Sequence, residues 1–160
     1  MEARKVIVVG SARSDGNTSR VVNAIASRAT IDVVDLNDYN FTYYDYSRAN
    51  SNDDFLPLIK NIIESYDTFI FATPIYWYNM SGIMKVFFDR FSDLLTVEKE
   101  TGRKLRGKKM AVISNSPDNE IDYDFYMPFR KMANYLGMEY TGDAHFGSRN
   151  LIENTNISFI

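Results

Sequence analysis

The sequence predicts an α/β fold, a doubly wound parallel sheet of five strands with helices on both faces. Three observations carry that prediction. Residues 5–9, 68–72 and 109–114 are short, continuous, β-branched apolar runs, as in strands buried on both faces. Stretches with apolar residues at helical spacing lie between them. The resulting strict β–α alternation calls for crossover connections, and so for a parallel sheet covered on both sides.

Strand 1 is residues 5–9, and the amphipathic run 18–29 is helix 1. Strand 2, residues 31–36, carries Asp32 and Asp35 among its apolar residues and is expected near a sheet edge. A polar, aromatic connection over 37–53 leads to helix 2 at 54–66. Asp53 and Asp54 are candidate caps there, and Leu56, Ile59, Ile62 and Ile63 share one face. Strand 3, residues 68–72, is expected to end at Pro74, and Ser81-Gly82 opens helix 3 over 82–95. The apolar residues of helix 3, from Ile83 to Leu95, cover an arc of roughly 140° at ~100° per residue, wider than a one-sided stripe. Deep burial or contact with a second copy would account for that width. Residues 98–109 read as a solvated, charge-rich connection. Strand 4 is 109–114 and is followed by a polar loop over 115–122. Helix 4 is 127–136, with Pro128 tolerated in its first turn and Gly137 as its stop. Strand 5 lies within 138–146, and the tail beyond Asn150 receives no element. Without a linker or repeat, residues 1–160 are expected to form one domain.

Composition narrows the chemistry. An apolar fraction of 45%, with 11 Phe and 11 Tyr, is that of a packed globule. A net charge of −3 without a Lys/Arg-rich patch gives no reason to expect nucleic acid. No run approaches the ~20 apolar residues of a bilayer span, and no leader pattern opens the chain, so a cytoplasmic location is expected. With no cysteine, disulfides, thiolate nucleophiles and cysteine-held zinc or iron–sulfur clusters are excluded. The one histidine, His145, argues against His-centred triads and multi-histidine metal sites, and its own expected role is structural. Redox or transfer chemistry would have to come from a bound cofactor.

Two loops carry the functional signal. Gly10-Ser11-Ala12-Arg13-Ser14-Asp15-Gly16-Asn17-Thr18 joins strand 1 to helix 1, where free N–H groups and the helix dipole favour an anion. It is neither a nucleotide P-loop, since Asn17 stands where the lysine belongs, nor a dinucleotide fingerprint, since position 12 is alanine. A terminal monophosphate ester fits it; an ordinary capped βα turn is the alternative. The second loop, 73–82, holds Tyr76-Trp77-Tyr78 in succession, which no core periodicity explains. Aromatics at a crevice rim suit a flat conjugated ligand, or else an oligomer contact.

Together, Gly10-Ser11-x-Arg13-x-x-Gly16-Asn17-Thr18, Pro74-Ile75-Tyr76-Trp77 and Ser81-Gly82-x-Met84-Lys85 resemble the NAD(P)H-dependent FMN reductases, flavodoxin-like quinone and azo-dye reductases. The resemblance implies strand order 2-1-3-4-5 and a bound FMN. Ser11, Arg13, Ser14, Asn17 and Thr18 match the phosphate loop, and Pro74, Ile75, Tyr76, Trp77 and Asn79 the loop along the flavin ring. Ser114, Asn115 and Ser116 match a third flavin-side loop more weakly. Tyr43, Tyr44 and Tyr46 stand where an iron–sulfur branch of the family carries cysteines, so no such cluster is expected. The implied activity is two-electron transfer from NADPH or NADH, through FMN, to a small flat acceptor: a quinone, an azo or nitro compound, or free flavin. A homodimer contact through Met84 and Phe88 is also implied. A flavodoxin-type carrier serving a protein partner, and a flavin-free relative, remain as alternatives.

Overall fold

In the computed structural model, which describes residues 3–147 and 157–160, five parallel strands lie in the order β2-β1-β3-β5-β6. They are β1 (Lys5–Val9), β2 (Asp32–Asp35), β3 (Thr68–Tyr76), β5 (Lys109–Ser116) and β6 (Glu139–Gly147). A two-residue strand, β4 (Asn79–Met80), pairs antiparallel with the end of β3. The five long strands thus have the expected order, with β2 at one edge.

Alternation along the central strands divides the core. Ile7, Val9, Ile70, Ala72, Ala111 and Ile113 face α1 (Asn17–Ala26), which contributes Val21, Val22 and Ile25. Val6, Val8, Phe69, Phe71, Met110 and Val112 face the opposite layer. That layer is built from α2 (Phe55–Ser65), α3 (Gly82–Asp89), α4 (Ser92–Thr96) and α6 (Met127–Leu136). Burial on both faces explains why the central strands read as unbroken apolar runs. Phe159 closes the α1 side by packing its ring on Gly142 of β6. Residues 151–156 of the unassigned tail lie outside the described residues.

Several boundaries depart from the sequence expectation for identifiable reasons. Strand β3 does not stop at Pro74 but continues to Tyr76. Pairing with β1 ends at Ala72 and pairing with β4 begins only at Ile75, so Pro74 falls in the gap between the two, where a residue without an N–H is tolerated. Helix 1 ends at Ala26, and β5 extends to Ser116. The expected single helix over 82–95 is interrupted. After Asp89 the backbone tightens, with the N–H groups of Phe91, Asp93 and Leu94 bonding three residues back to Phe88, Arg90 and Phe91, before α4 begins. The connection over 98–109 is not merely solvated: it contains α5 (Lys99–Arg103) and buries Thr101 and Leu105. Met84 and Phe88 are buried within the chain, Phe88 lying 4.6 Å from the Phe71 ring, so they cannot form the expected dimer contact.

The break in helix 3 surrounds Arg90, which is 1% exposed. Its guanidinium donates to Asp93 Oδ2 at 2.9 Å and to the Thr42 carbonyl at 3.0 Å, makes a two-pronged contact with Asp53, and lies 4.7 Å from the Phe55 ring centre. This cluster fastens the 37–53 connection to the far end of α3.

Candidate functional site

Three loops converge beyond the carboxyl ends of the strands, where ligands bind in open α/β sheets. The loop after β1 is held from two sides. Gly10 N–H continues the ladder to Ala72 O at 2.8 Å, and Gly10 O accepts from Ser81 Oγ at 2.7 Å. A Cβ built on Gly10 would lie 2.8 Å from Met84 Cε and 2.9 Å from Met84 Cβ, so glycine is what lets the loop approach α3 this closely. On the other side Asn37 Nδ2 donates to the Ser11 carbonyl at 2.8 Å and lies 3.4 Å from Ser14 Oγ. Asn37 was not singled out in the sequence. Its signal is the Asp35-x-Asn37 turn ending β2, in which Asp35 accepts from the Asn37 N–H.

Helix α1 starts after Gly16 without a side-chain cap. The N–H groups of Asn17, Thr18 and Ser19 therefore lack intrahelical acceptors and can meet an anion. Ser19 Oγ, in the same turn, is buried without a hydrogen-bond partner among the described residues, and the sequence reading missed it. Thr18 Oγ1 donates to Asn115 Oδ1 at 2.6 Å in a buried bond that ties the first loop to the end of β5. Arg13 reaches Asp15 at 3.6 Å, and both side chains are well exposed.

The aromatic loop is a β-hairpin. Ile75 pairs with Met80 and Tyr76 with Asn79, leaving Trp77 and Tyr78 as the two turn residues, at φ 49° and 65°. Two positive φ values are the signature of a type I′ turn, which ordinarily selects Asn-Gly. Here it is made of two bulky aromatics, 94% and 86% exposed. Thr73 and Ser81 fasten the base of the hairpin: Ser81 N–H donates to Thr73 Oγ1 at 3.0 Å, and Ser81 Oγ also caps α3. Strained, solvent-facing aromatics fit a role in binding better than one in stability. Trp77→Asn combined with Tyr78→Gly is accordingly expected to raise stability by about 1–2 kcal/mol, read from the urea midpoint, while stripping one wall of the cleft of its aromatic surface.

That cleft, about 480 Å³, lies between the hairpin and the loop after β5, within the usual size range of small-molecule sites. Ile75, Trp77 and Tyr78 line one side; Ser116, Pro117, Ile121 and Phe125 line the other. Asp118, Glu120, Asp122 and Asp124 give the latter side an acidic rim. Of the residues singled out in the sequence, Ile75, Trp77 and Ser116 meet at the cleft, and Ser11, Asn17 and Thr18 cluster at the first loop. Tyr76 and Asn79 pair within the hairpin and do not line the cleft; Pro74 lies opposite Asn115 in the sheet. Ser114 is fully buried beneath the site, where its hydroxyl meets Tyr126 and His145. Burial pushes the Tyr126 hydroxyl far above the ordinary tyrosine range, so it remains a donor.

Comparison with known proteins identifies the family. The profile of a family described as NADPH-dependent FMN reductase matches residues 3–149. A Bacillus subtilis protein, YwqN, named as an NAD(P)H-dependent FMN-containing oxidoreductase, is 27% identical over 146 residues, covering 85% of this chain and 80% of that protein. Among solved structures, the Trp repressor binding protein of Bacillus subtilis superposes with a TM-score of 0.73 at 24% identity, covering 91% of this chain and 85% of that one. An FMN-dependent NADH-azoreductase of Bacillus anthracis, solved with FMN, gives a TM-score of 0.62 at 16% identity, covering 89% and 86%. These two likenesses show the fold.

Proposed function

The chain belongs to the NADPH-dependent FMN reductase family, and from that premise we propose that it transfers two electrons from NADPH or NADH, through FMN, to a small flat acceptor in the cleft beside Trp77. In the net reaction NAD(P)H and one proton reduce a quinone to its hydroquinone, or an azo or nitro group correspondingly, and NAD(P)⁺ is released. The observation that carries the reading is the joining of the two ligand loops. Ser81 bonds Gly10, and Thr18 bonds Asn115, so the phosphate-type turn is tied both to the base of the aromatic hairpin and to the end of β5, the two elements that border the cleft.

The residues present fit FMN. Ser19 Oγ is a buried polar atom without a partner among the described residues, in the same turn as the three N–H groups at the start of α1 that have no intrahelical acceptor. In this reading Ser11, Ser14, Asn17 and Ser19, with those N–H groups, hold the phosphate, and Arg13 adds positive charge at its rim. Ile75, Trp77 and Tyr78 border the ring, and Asn115 and Ser116 close its other side. Bound FMN supplies the hydride and two-electron chemistry, and the protein supplies position, dipoles and exclusion of water. A single cytoplasmic domain, assembled as a homodimer through a surface other than Met84 and Phe88, belongs to the same proposal. Among the described residues no helix is long and apolar enough to cross a membrane.

The test is a visible spectrum after incubation with FMN and desalting, repeated anaerobically with each nucleotide. A retained flavin band that bleaches with NADPH or NADH is expected. Retention without bleaching would move the reading to an electron carrier, and no retained flavin would overturn it.

A further inference from the structure

The chain's one histidine lies behind the acidic wall of the cleft, in a hydrogen-bond relay whose directions are fixed by chemistry. His145 Nε2 lies 2.9 Å from the Asp118 carbonyl, and Nδ1 lies 2.9 Å from Ser114 Oγ. A carbonyl can only accept, so Nε2 carries the proton and, in the neutral ring, Nδ1 is an acceptor. Ser114 must then spend its one hydrogen on Nδ1, and its oxygen accepts from Tyr126 OH at 2.7 Å. Ser116 Oγ completes the seat, 3.2 Å from both Nε2 and the Asp118 carbonyl.

A second, independent feature places the same loop on the same strand. A Cβ on Gly147, two residues along β6, would lie 2.2 Å from Asn119 Oδ1 and 2.7 Å from both Asn119 Cα and the Asp118 carbonyl. The loop therefore sits directly on the end of β6, at a spacing only glycine permits, and the side chains of His145 and Ser116 both bond the Asp118 carbonyl there.

Resting on the function proposed above, we infer that His145 is a positioning residue for electron transfer. Its Nε2–H holds Ser116–Asp118 as the wall against which the acceptor docks, and Ser114 and Tyr126 hold the ring in the required tautomer. His145 need not touch the reactants.

The first test uses flavin-free protein. A long-range ¹H–¹⁵N spectrum has a single imidazole to report. At a pH well above the ordinary imidazole range, the expected result is a ring protonated at Nε2 alone, whose N–H exchanges slowly with water and loses that protection in Ser114→Ala. A ring protonated at Nδ1, or one averaging rapidly between tautomers, overturns the relay. The second test compares His145→Gln, whose amide can still donate to Asp118, with His145→Ala, which cannot. Amide exchange at Ser116, Asp118 and Asn119 is expected to quicken about fivefold in the alanine variant and to be restored by glutamine. In the FMN-loaded protein, KM for a quinone is expected to rise by a similar factor in the alanine variant alone, with kcat largely kept. Equal behaviour of the two variants in both readouts overturns the positioning role. Failure of the protein to retain flavin overturns the oxidoreductase reading, whereas the tautomer and exchange results bear on His145 alone.

Discussion

Arg90→Met is expected to remove about 3–5 kcal/mol of stability, because it leaves carboxylates in a buried site built around a cation. At ~2–4 °C per kcal/mol for a chain of this size, the midpoint should fall by roughly 10 °C. Methionine can fill the space of the arginine stem, so the loss reports the charge network more than a cavity. The guanidinium satisfies Asp53, Asp93 and the Thr42 carbonyl together; without it Asp53 keeps the N–H groups of Phe55 and Thr42, but among the described residues no second cation pairs with Asp53 or Asp93. Adding Asp53→Asn to Arg90→Met should recover part of the loss, and the coupling can be measured by a double-mutant cycle.

Acid sharpens the same prediction. Burial alone would raise the Asp53 carboxyl, but Arg90 and the N–H groups of Phe55 and Thr42 hold it below the ordinary carboxylate range. A depressed folded-state pKa contributes stability that is complete above the unfolded value, near pH 4, and is lost as pH falls through the folded value. Wild type and Arg90→Met should therefore differ most near neutrality and converge below about pH 4. A constant difference across that range would mean that Arg90 acts through packing alone.

Arg90 also marks where the sequence stops being informative. The apolar spacing of 82–95 has no visible interruption. The helix breaks because of partners far away in the chain, Thr42 and Asp53, whose approach depends on the course of the 37–53 connection. The strands were legible because burial on both faces leaves an unbroken apolar run, and their order followed from the family likeness. Trp77 and Tyr78 were legible as misplaced for a core, yet their turn was not: type I′ geometry is announced by Asn-Gly, and here the positive φ angles fall on aromatics. Ser19 was missed because it reads as the interior of a helix, and its unpartnered hydroxyl appears only when burial is known. The link from Tyr126 through Ser114 to His145 depends on the register that sets Ser114 opposite His145 across β5 and β6.

Asn17→Ala with Thr18→Ala is expected to weaken FMN binding about 10- to 150-fold, since a hydrogen bond to a charged group contributes about 1.5–3 kcal/mol. The two side chains act differently. Asn17 offers its amide at the uncapped start of α1, whereas Thr18 spends its hydroxyl on Asn115 and so fixes where the first turn points. Losing the buried Thr18–Asn115 bond costs about 1 kcal/mol. Alanine's higher helix propensity offsets much of that, by up to about 0.5 kcal/mol at each position. The domain should therefore stay folded while its affinity falls. Riboflavin separates the phosphate from the ring, because it carries the same isoalloxazine without the ester. Titrated by quenching of flavin fluorescence, wild type should prefer FMN, and the double variant should bind the two flavins almost equally. An equal loss for both would place the damage on the ring side, through displaced Asn115. A preference for FMN that survives intact would remove the loop after β1 from the phosphate site, and with it the reason for α1 to begin uncapped.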